Sequence, residues 1–318
     1  MLAETPGGSA IAIIGAGSIG VAFAIVFARA GFSARLQDPD SARREAAPGE
    51  ITQRLRDLET YALIAETPDE ILARVTIVPS VEEAVADAAL VQECAPERLD
   101  LKRELFATLD RVAPAEAILA SSTSALQPSS FAEELPGRAR CLVGHPGNPP
   151  YLIPVIEVVP APFTSEAATA RCGEIYRAAG LSPVRLRKEI EGFVFNRLQG
   201  ALLREAYCLV RDGVVSVDEI DQVVRDGPGR RWSVIGPFET ADLNTRGGIA
   251  AHAAKIGPAY ERMGAERGQH DPWTPELVRQ VEKARRALLP LDQWEDRVAW
   301  RDRMMMKALS ARLEQPEK

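Results

Sequence analysis

Ile11-Ala12-Ile13-Ile14-Gly15-Ala16-Gly17-Ser18-Ile19-Gly20 is an apolar, β-prone run ending in Gly-x-Gly-x-x-Gly, and an apolar helical stretch, Val21 to Ala30, follows it and stops at Gly31. A strand that feeds glycines and then a helix directs backbone N–H groups and a helix N-terminus at one point, the arrangement that holds a pyrophosphate. The glycine pattern is weak by itself and gains weight from its surroundings. A second strand, Ser33-Ala34-Arg35-Leu36-Gln37-Asp38, ends in an acid eighteen residues past Gly20. That is close to the ~20-residue spacing at which a carboxylate meets the adenosine ribose hydroxyls of a dinucleotide. Asp38 would repel a 2′-phosphate, so the expected cofactor is NAD rather than NADP, cradled by Gly15, Gly17, Ser18, Ile19, Gly20 and Asp38. Arg43 and Arg44, just beyond, leave two alternatives open: a grip on that phosphate, or an ordinary solvated helix start.

Outward from this unit, strand and helix patterns alternate as far as about Glu189. Val75 to Val78 precedes Ser80-Val81-Glu82-Glu83, a capping box. Leu90 to Cys94 leads into a helix around Leu101 to Val112, and Ala117 to Ala120 into one near Phe131. Cys141 to Gly144, Val155 to Val159 and Pro183 to Leu186 read as further strands, with a helix over Thr164 to Ala179. Such alternation builds a mostly parallel, doubly wound sheet with helices on both faces. Beyond Gly192 the strand signals stop. Phe193 to Val210 is long and amphipathic, Ser216-Val217-Asp218-Glu219 is another capping box, and Thr274 to Leu289 and Asp296 to Leu313 add helices before a polar tail from Glu314. The expected fold class is α/β, an N-terminal Rossmann-type sheet domain over 1–189 followed by an all-helical domain over 190–318.

A second stretch bears on chemistry. Gly144-His145-Pro146-Gly147-Asn148-Pro149-Pro150 holds one of three histidines in the chain, and Glu157 follows within the apolar run Val155-Ile156-Glu157-Val158-Val159. A lone histidine is more often structural than catalytic. A carboxylate inside an apolar strand, however, costs several kcal/mol unless paired, so imidazole is a natural partner. Together they have the composition of a general base and its orienter. Ser121-Ser122-Thr123-Ser124 ends the strand Ala117 to Ala120, where polar residues line a ligand crevice, although a helix cap before Gln127-Pro128 would explain the run equally well.

Composition narrows the classes. The chain has 318 residues, 46% hydrophobic and 26% charged, with a net charge of −7. Those values suit two globular domains and argue against a nucleic-acid or anionic-membrane partner. No apolar run reaches the ~20 residues of a membrane span, and Met1 to Ser9 lacks signal-peptide features, so a cytoplasmic location is expected. Cys94, Cys141, Cys172 and Cys208 are widely spaced and read as thiols, and no metal site is expected.

The motifs Gly15-x-Gly17-x-x-Gly20, Asp38, Glu93-Cys94-Ala95-Pro96-Glu97 with Lys102, Ser121 to Ser124, Gly144-His145-Pro146 with Asn148-Pro149, Glu157, and Gly192-Phe193-Val194-Phe195-Asn196-Arg197 resemble those of the 3-hydroxyacyl-CoA dehydrogenase superfamily over nearly the whole chain. The resemblance implies that His145 is the base, Glu157 its orienting carboxylate, and Ser124 and Asn196 contacts of the substrate oxygen. It also places Glu97, Lys102, Ser122 and Asn148 about the cofactor, and implies a homodimer formed by the helical domain. Val91-Gln92-Glu93-Cys94-Ala95-Pro96-Glu97, His145-Pro146-x-Asn148-Pro149-Pro150-Tyr151, and Gly229-Arg230-Arg231-Trp232 leading to Gly236-Pro237-Phe238-Glu239-Thr240 are more similar to the branch holding L-gulonate 3-dehydrogenase and λ-crystallin. That branch usually has a larger residue where Gly147 stands.

The expected activity is NAD-dependent oxidation of the 3-hydroxyl of a small-molecule 3-hydroxy acid. Alternatives are a 3-hydroxyacyl-CoA or L-carnitine dehydrogenase, or a non-catalytic crystallin-like dinucleotide binder. Arg231 is the candidate for a free substrate carboxylate, since guanidinium matches it as a fork; simple pairing with a neighbour is the alternative.

Overall fold

The computed structural model describes residues 10–233, 236–244 and 248–268, with short runs and single positions beyond. Met1 to Ser9 and the tail from Glu314 lie outside the described residues, as do most of the helix expected over 274–289 and half of that over 296–313. The chain parts into two compact units, Met1–Arg197 with Ala299–Lys318, and Leu198–Val298. Residues 190–197, counted with the helical domain in the sequence division, group here with the first unit, and Phe193 is fully buried in its core.

The first unit is built on an eight-stranded sheet. Its strands are β1 (Ala10–Ile14), β2 (Ala34–Gln37), β3 (Val75–Val78), β4 (Ala88–Glu93), β5 (Ile118–Ser121), β6 (Cys141–Pro146), β7 (Val155–Pro160) and β8 (Ser182–Arg185). They lie in the order β3-β2-β1-β4-β5-β6-β7-β8. Between them run α1 (Ser18–Arg29), α2 (Ser41–Thr60), α3 (Pro68–Leu72), α4 (Val81–Val85), α5 (Leu99–Val112), α6 (Pro128–Ala132) and α7 (Glu166–Ala178). Strand order reverses between β1 and β4, the place where ligands settle in open α/β sheets. All pairs are parallel except β6 with β7. The reason is length: only residues 147–154 join these two strands, too few for a crossover helix of about a dozen residues.

Alternation along the strands sorts two cores. Ile11, Ile13, Leu90, Ile118, Ala120 and Leu142 face the α1 and α7 side with Phe23, Phe27 and Tyr176. Ala12, Ile14, Val91, Leu119, Val143 and Val159 face the α5 side with Phe106, Leu109 and Phe193. Both faces are therefore covered, as the near-continuous apolar strands require. α2 is longer than the helix start that the sequence indicates; its carriers are the Asp40 cap, which accepts from Ala42 N–H, and the buried stripe Ala47, Ile51, Leu55 and Leu58, despite Pro48 in its interior. Ser80 caps α4 at the N–H of Glu83, while the Glu83 carboxylate takes the Ser80 hydroxyl proton at 3.0 Å rather than a backbone one.

The second unit consists, among the described residues, of helices: most of α8 (Phe195–Arg211), then α9 (Val217–Asp226), α10 (Pro228–Trp232), α11 (Pro237–Leu243) and α12 (Gly248–Arg267). Ser216 and Glu219 form the expected capping box. Arg267 ties α12 to α8 through Glu205 at 3.1 Å and to Asp212, just past the end of α8, at 2.5 Å.

The β1–α1 turn tolerates no added side chain at two of its glycines. Gly15 sits at φ +108°, and a Cβ on Gly20 would lie 1.8 Å from the Gly15 carbonyl oxygen. Gly20→Ala should cost about 1–3 kcal/mol or more in urea denaturation, because the obstacle is backbone and cannot rotate aside. Wild-type stability in this variant would show that the turn is not held as described.

Candidate active site

The dinucleotide turn divides its glycines by purpose. Gly15 and Gly20 are demanded by the protein itself, since Cβ atoms there would strike the Cys94 carbonyl at 2.8 Å and the Gly15 carbonyl at 1.8 Å. Gly17 is not: a Cβ on it meets nothing nearer than the Arg43 guanidinium at 3.9 Å. Its missing side chain leaves room on the solvent side of the turn, where α1 begins, and a pyrophosphate fits that room. Ser18 is exposed at the first turn of α1 and Ile19 half-buried. Asp38, just past β2, accepts from Ala16 N–H at 2.7 Å and Asp40 N–H at 2.9 Å, so its carboxylate is held beside the glycine turn. Arg44 donates to the Asp38 and Pro39 carbonyls at 2.7 and 3.1 Å, which occupies one of the two arginines that could have received a 2′-phosphate. The residues fit NAD.

At the carboxyl ends of β4 and β5 stands a buried ion pair. Lys102, on α5, donates to both oxygens of Glu93 at 2.9 Å and to the Ala95 carbonyl at 3.3 Å. Glu93 also accepts from the Ser121 hydroxyl at 2.5 Å and Ala95 N–H at 2.6 Å. A buried pair holds only when every remaining proton and lone pair is satisfied, and here each is. The turn after β4 is thereby fixed, and with it Glu97. Glu97 Oε1 accepts from the Thr123 hydroxyl and from Ser124 and Ala125 N–H at 3.1 and 3.2 Å, while its side chain stays partly open to solvent. Ser121 to Ser124 is thus a bent segment held by two carboxylates. Leu126 N–H returns to Thr123 Oγ1 at 2.9 Å, and no side chain caps α6.

His145 and Glu157 are directly opposite in the antiparallel register of β6 and β7. Both are buried, at 5% and 2% exposure, and His145 Nδ1 lies 2.8 Å from Glu157 Oε2. A carboxylate only accepts, so Nδ1 carries the proton and Nε2 keeps its lone pair, as a general base requires. Glu157 Oε1 accepts from Val194 and Phe195 N–H at 2.7 and 3.0 Å, the opening of α8. The chain reaches that position through Gly192 at φ +72° and Phe193 at φ +51°. A left-handed phenylalanine costs on the order of 1–2 kcal/mol, and the two N–H bonds to Glu157 offset it. The Phe193 and Phe195 rings flank the imidazole, with centroids 5.4 and 6.2 Å away. Asn196, next on α8, donates to the Ser124 carbonyl at 2.8 Å.

The structure therefore brings His145, Glu157, Asn196 and Ser124 into one hydrogen-bonded neighbourhood, with Glu97 bonded to the last. Lys102 is sealed beneath the β4 turn rather than open to a ligand, and Asn148 is exposed just past β6. Gly147 faces protein: a Cβ there would lie 2.4 Å from Ile153 Cγ2. Arg231 lies in the second unit on α10, exposed, and donates to Asn244 Oδ1 at 2.7 Å. Sequence reasoning did not single out Glu93 or Gln92 as organising groups. Their one signal was two polar residues at the end of an apolar strand, and nothing local showed that Lys102, Ser121 and Tyr176 would complete their bonding.

Comparison with known proteins points to one family. Residues 10–190 match the model of the 3-hydroxyacyl-CoA dehydrogenase NAD binding domain, and residues 192–288 that of the 3-hydroxyacyl-CoA dehydrogenase C-terminal domain. The chain is 38% identical to the λ-crystallin homolog of Bos taurus, covering 99% of this chain and 98% of that one. It is 39% identical to an L-carnitine dehydrogenase of Streptomyces griseus over 85% of this chain and 78% of the relative. Among solved structures, 5-formyl-3-hydroxy-2-methylpyridine 4-carboxylic acid 5-dehydrogenase, an NAD+ dependent dismutase, superposes with a TM-score of 0.79 at 27% identity, covering 96% of this chain and 99% of that one.

The contrast among the glycines is testable. Gly17→Ala should melt as the wild type does, yet bind NADH roughly tenfold or more weakly, a loss of about 1.4 kcal/mol, because its methyl fills only the ligand's space. Unchanged NADH titration would remove the pyrophosphate from this turn.

Proposed function

The chain belongs to the 3-hydroxyacyl-CoA dehydrogenase family, and from that premise we propose that it oxidises the 3-hydroxyl of a free 3-hydroxy acid, in the manner of an L-gulonate 3-dehydrogenase. Its class is that of an NAD-dependent dehydrogenase acting on a 3-hydroxy group. The observation that carries the reading is the His145 Nδ1–Glu157 Oε2 bond of 2.8 Å, which leaves Nε2 as an oriented base. Nε2 takes the proton of the substrate hydroxyl, and Glu157 stabilises the imidazolium that forms. Bound at the Gly17 turn, NAD supplies the hydride acceptor. Asn196 spends one N–H on the Ser124 carbonyl and keeps its second for the reacting oxygen, beside the Ser124 hydroxyl. Such donors matter most in the reverse direction, where a carbonyl becomes an alkoxide. Glu97 and Ser122, with Asn148, take the nicotinamide side, and Lys102 acts there through Glu93 and the Ala95 carbonyl.

Two features favour a free acid over a thioester. Carnitine, named for the Streptomyces relative, is itself a free 3-hydroxy acid. Arg231 also offers an exposed guanidinium whose one described partner is a neutral amide, Asn244, so its charge is available to a carboxylate. Leu198, Leu202 and Leu203 on α8 and Val223 on α9, all exposed, support pairing of two copies as a homodimer.

Assays of NADH formation with L-gulonate, L-carnitine and 3-hydroxybutyryl-CoA in parallel distinguish the substrates. His145→Asn should lower turnover by roughly 10²–10⁴-fold and leave NADH affinity intact; retention of more than about a tenth of the rate would refute the base assignment. Arg231→Met should raise KM for the hydroxy acid roughly tenfold or more without altering NADH binding, with Arg231→Lys recovering only part. Efficient use of the CoA thioester, undiminished in the Met variant, would replace the free-acid reading with the acyl-CoA one.

A further inference from the structure

Ser122 follows β5 and is bonded on two sides by groups that the oxidation itself does not use. Gln92 Nε2 donates to Ser122 Oγ at 2.7 Å and to the Gly144 carbonyl at 3.3 Å, while Cys94 Sγ lies 3.2 Å from the same hydroxyl. Gln92 is fully buried on β4, and its Oε1 accepts from the Tyr176 hydroxyl of α7 at 2.5 Å. Tyr176 is buried too, and a Cβ on Gly144 would lie 1.9 Å from its oxygen, so β6 carries no side chain at the residue before His145. Apolar residues could fill this volume without desolvating a phenol, an amide and a carbonyl. The polar chain therefore calls for a reason other than packing.

Its direction is decided by the one member that can only accept. The Gly144 carbonyl requires the Gln92 amide to turn its NH2 group inward, and the same NH2 reaches Ser122. Oε1 is then left facing Tyr176, which must donate. Burial pushes the phenol well above its ordinary pKa and the Cys94 thiol up to about 12, so both keep their protons. Cys94 points its own proton toward the Gln92 carbonyl at 3.8 Å and offers Ser122 only a weak sulfur acceptor. Ser122 thus receives from Gln92 and has its hydroxyl proton left to give to a better acceptor.

We propose that Gln92 and Tyr176 are positioning residues that make Ser122 a hydrogen-bond donor to the carboxamide oxygen of bound nicotinamide. The inference rests on the placement of Ser122 at the nicotinamide in the functional reading. Because the same amide holds the carbonyl next to His145, cofactor orientation and base position share one support.

Calorimetric titrations with NAD, its 3-acetylpyridine analogue and ADP-ribose test this in the wild type, Ser122→Ala, Gln92→Met and Tyr176→Phe. The analogue keeps the carbonyl acceptor and lacks the amide N–H groups; ADP-ribose lacks the ring. Each variant should lose about three- to tenfold in affinity for NAD and for the analogue, the worth of one hydrogen bond, with ADP-ribose unchanged within about twofold. Ser122→Ala combined with Gln92→Met should bind NAD no worse than Ser122→Ala alone. If Ser122→Ala weakens NAD while Gln92→Met and Tyr176→Phe both match the wild type, or lose ADP-ribose equally, the positioning role is overturned. If the wild type binds the analogue much more weakly than NAD and Ser122→Ala abolishes that difference, the hydroxyl accepts rather than donates, which also overturns it. If Ser122→Ala leaves NAD affinity unchanged, the placement of Ser122 at the nicotinamide fails first, and the inference with it.

Discussion

A carboxylate removed from water must find donors for both oxygens, and Glu157 finds them on two different elements. One oxygen holds the His145 imidazole across the β6–β7 pair, and the other holds the first amides of α8. With one oxygen unmet, the buried charge would cost several kcal/mol, and with either partner elsewhere the imidazole would lose its tautomer or α8 its anchored start. The left-handed Phe193 is best understood through this demand. The backbone accepts a strained residue because the turn it makes brings two N–H groups to the carboxylate oxygen that the imidazole does not hold, and the Phe193 ring lies against the imidazole.

The two faces of the sheet divide the remaining polar work. Glu93 points to the α5 side and meets Lys102, whereas Gln92, its neighbour in sequence, points to the α7 side and meets Tyr176. Alternation along one strand thus sends two adjacent polar residues into separate networks. Both networks come back to the segment after β5: Glu93 takes the Ser121 hydroxyl, and Gln92 donates to the Ser122 hydroxyl. Four consecutive residues at the carboxyl end of β5 are held from below and from either side, the preorganisation that the hydride transfer proposed for this site would require.

Substrate choice, on the proposed reading, turns on other residues. Gly147 stands where the resemblance implies a larger residue, yet its free side is filled by Ile153, so the missing side chain compensates for a neighbour instead of opening space for a larger substrate. On the proposed reading, a free acid is told from a thioester by charges such as Arg231, which the second unit carries on a short helix.

The sequence by itself determined the cofactor turn, the alternation that makes a doubly wound sheet, the capping box at Ser216, and the candidacy of His145 and Glu157. Each of these is local: a glycine spacing, a period of two, a side chain three residues from its backbone partner, a charge in an apolar run. Tertiary structure alone decided that β7 turns back against β6, and that this register sets Glu157 opposite His145. It also decided that the second oxygen of Glu157 belongs to α8, that Lys102 is sealed against Glu93, and that a tyrosine 84 residues away orients Gln92. These are satisfactions of buried polar atoms by partners distant in sequence. A donor's need is written in its residue type, but which acceptor meets it depends on the packing of the whole sheet.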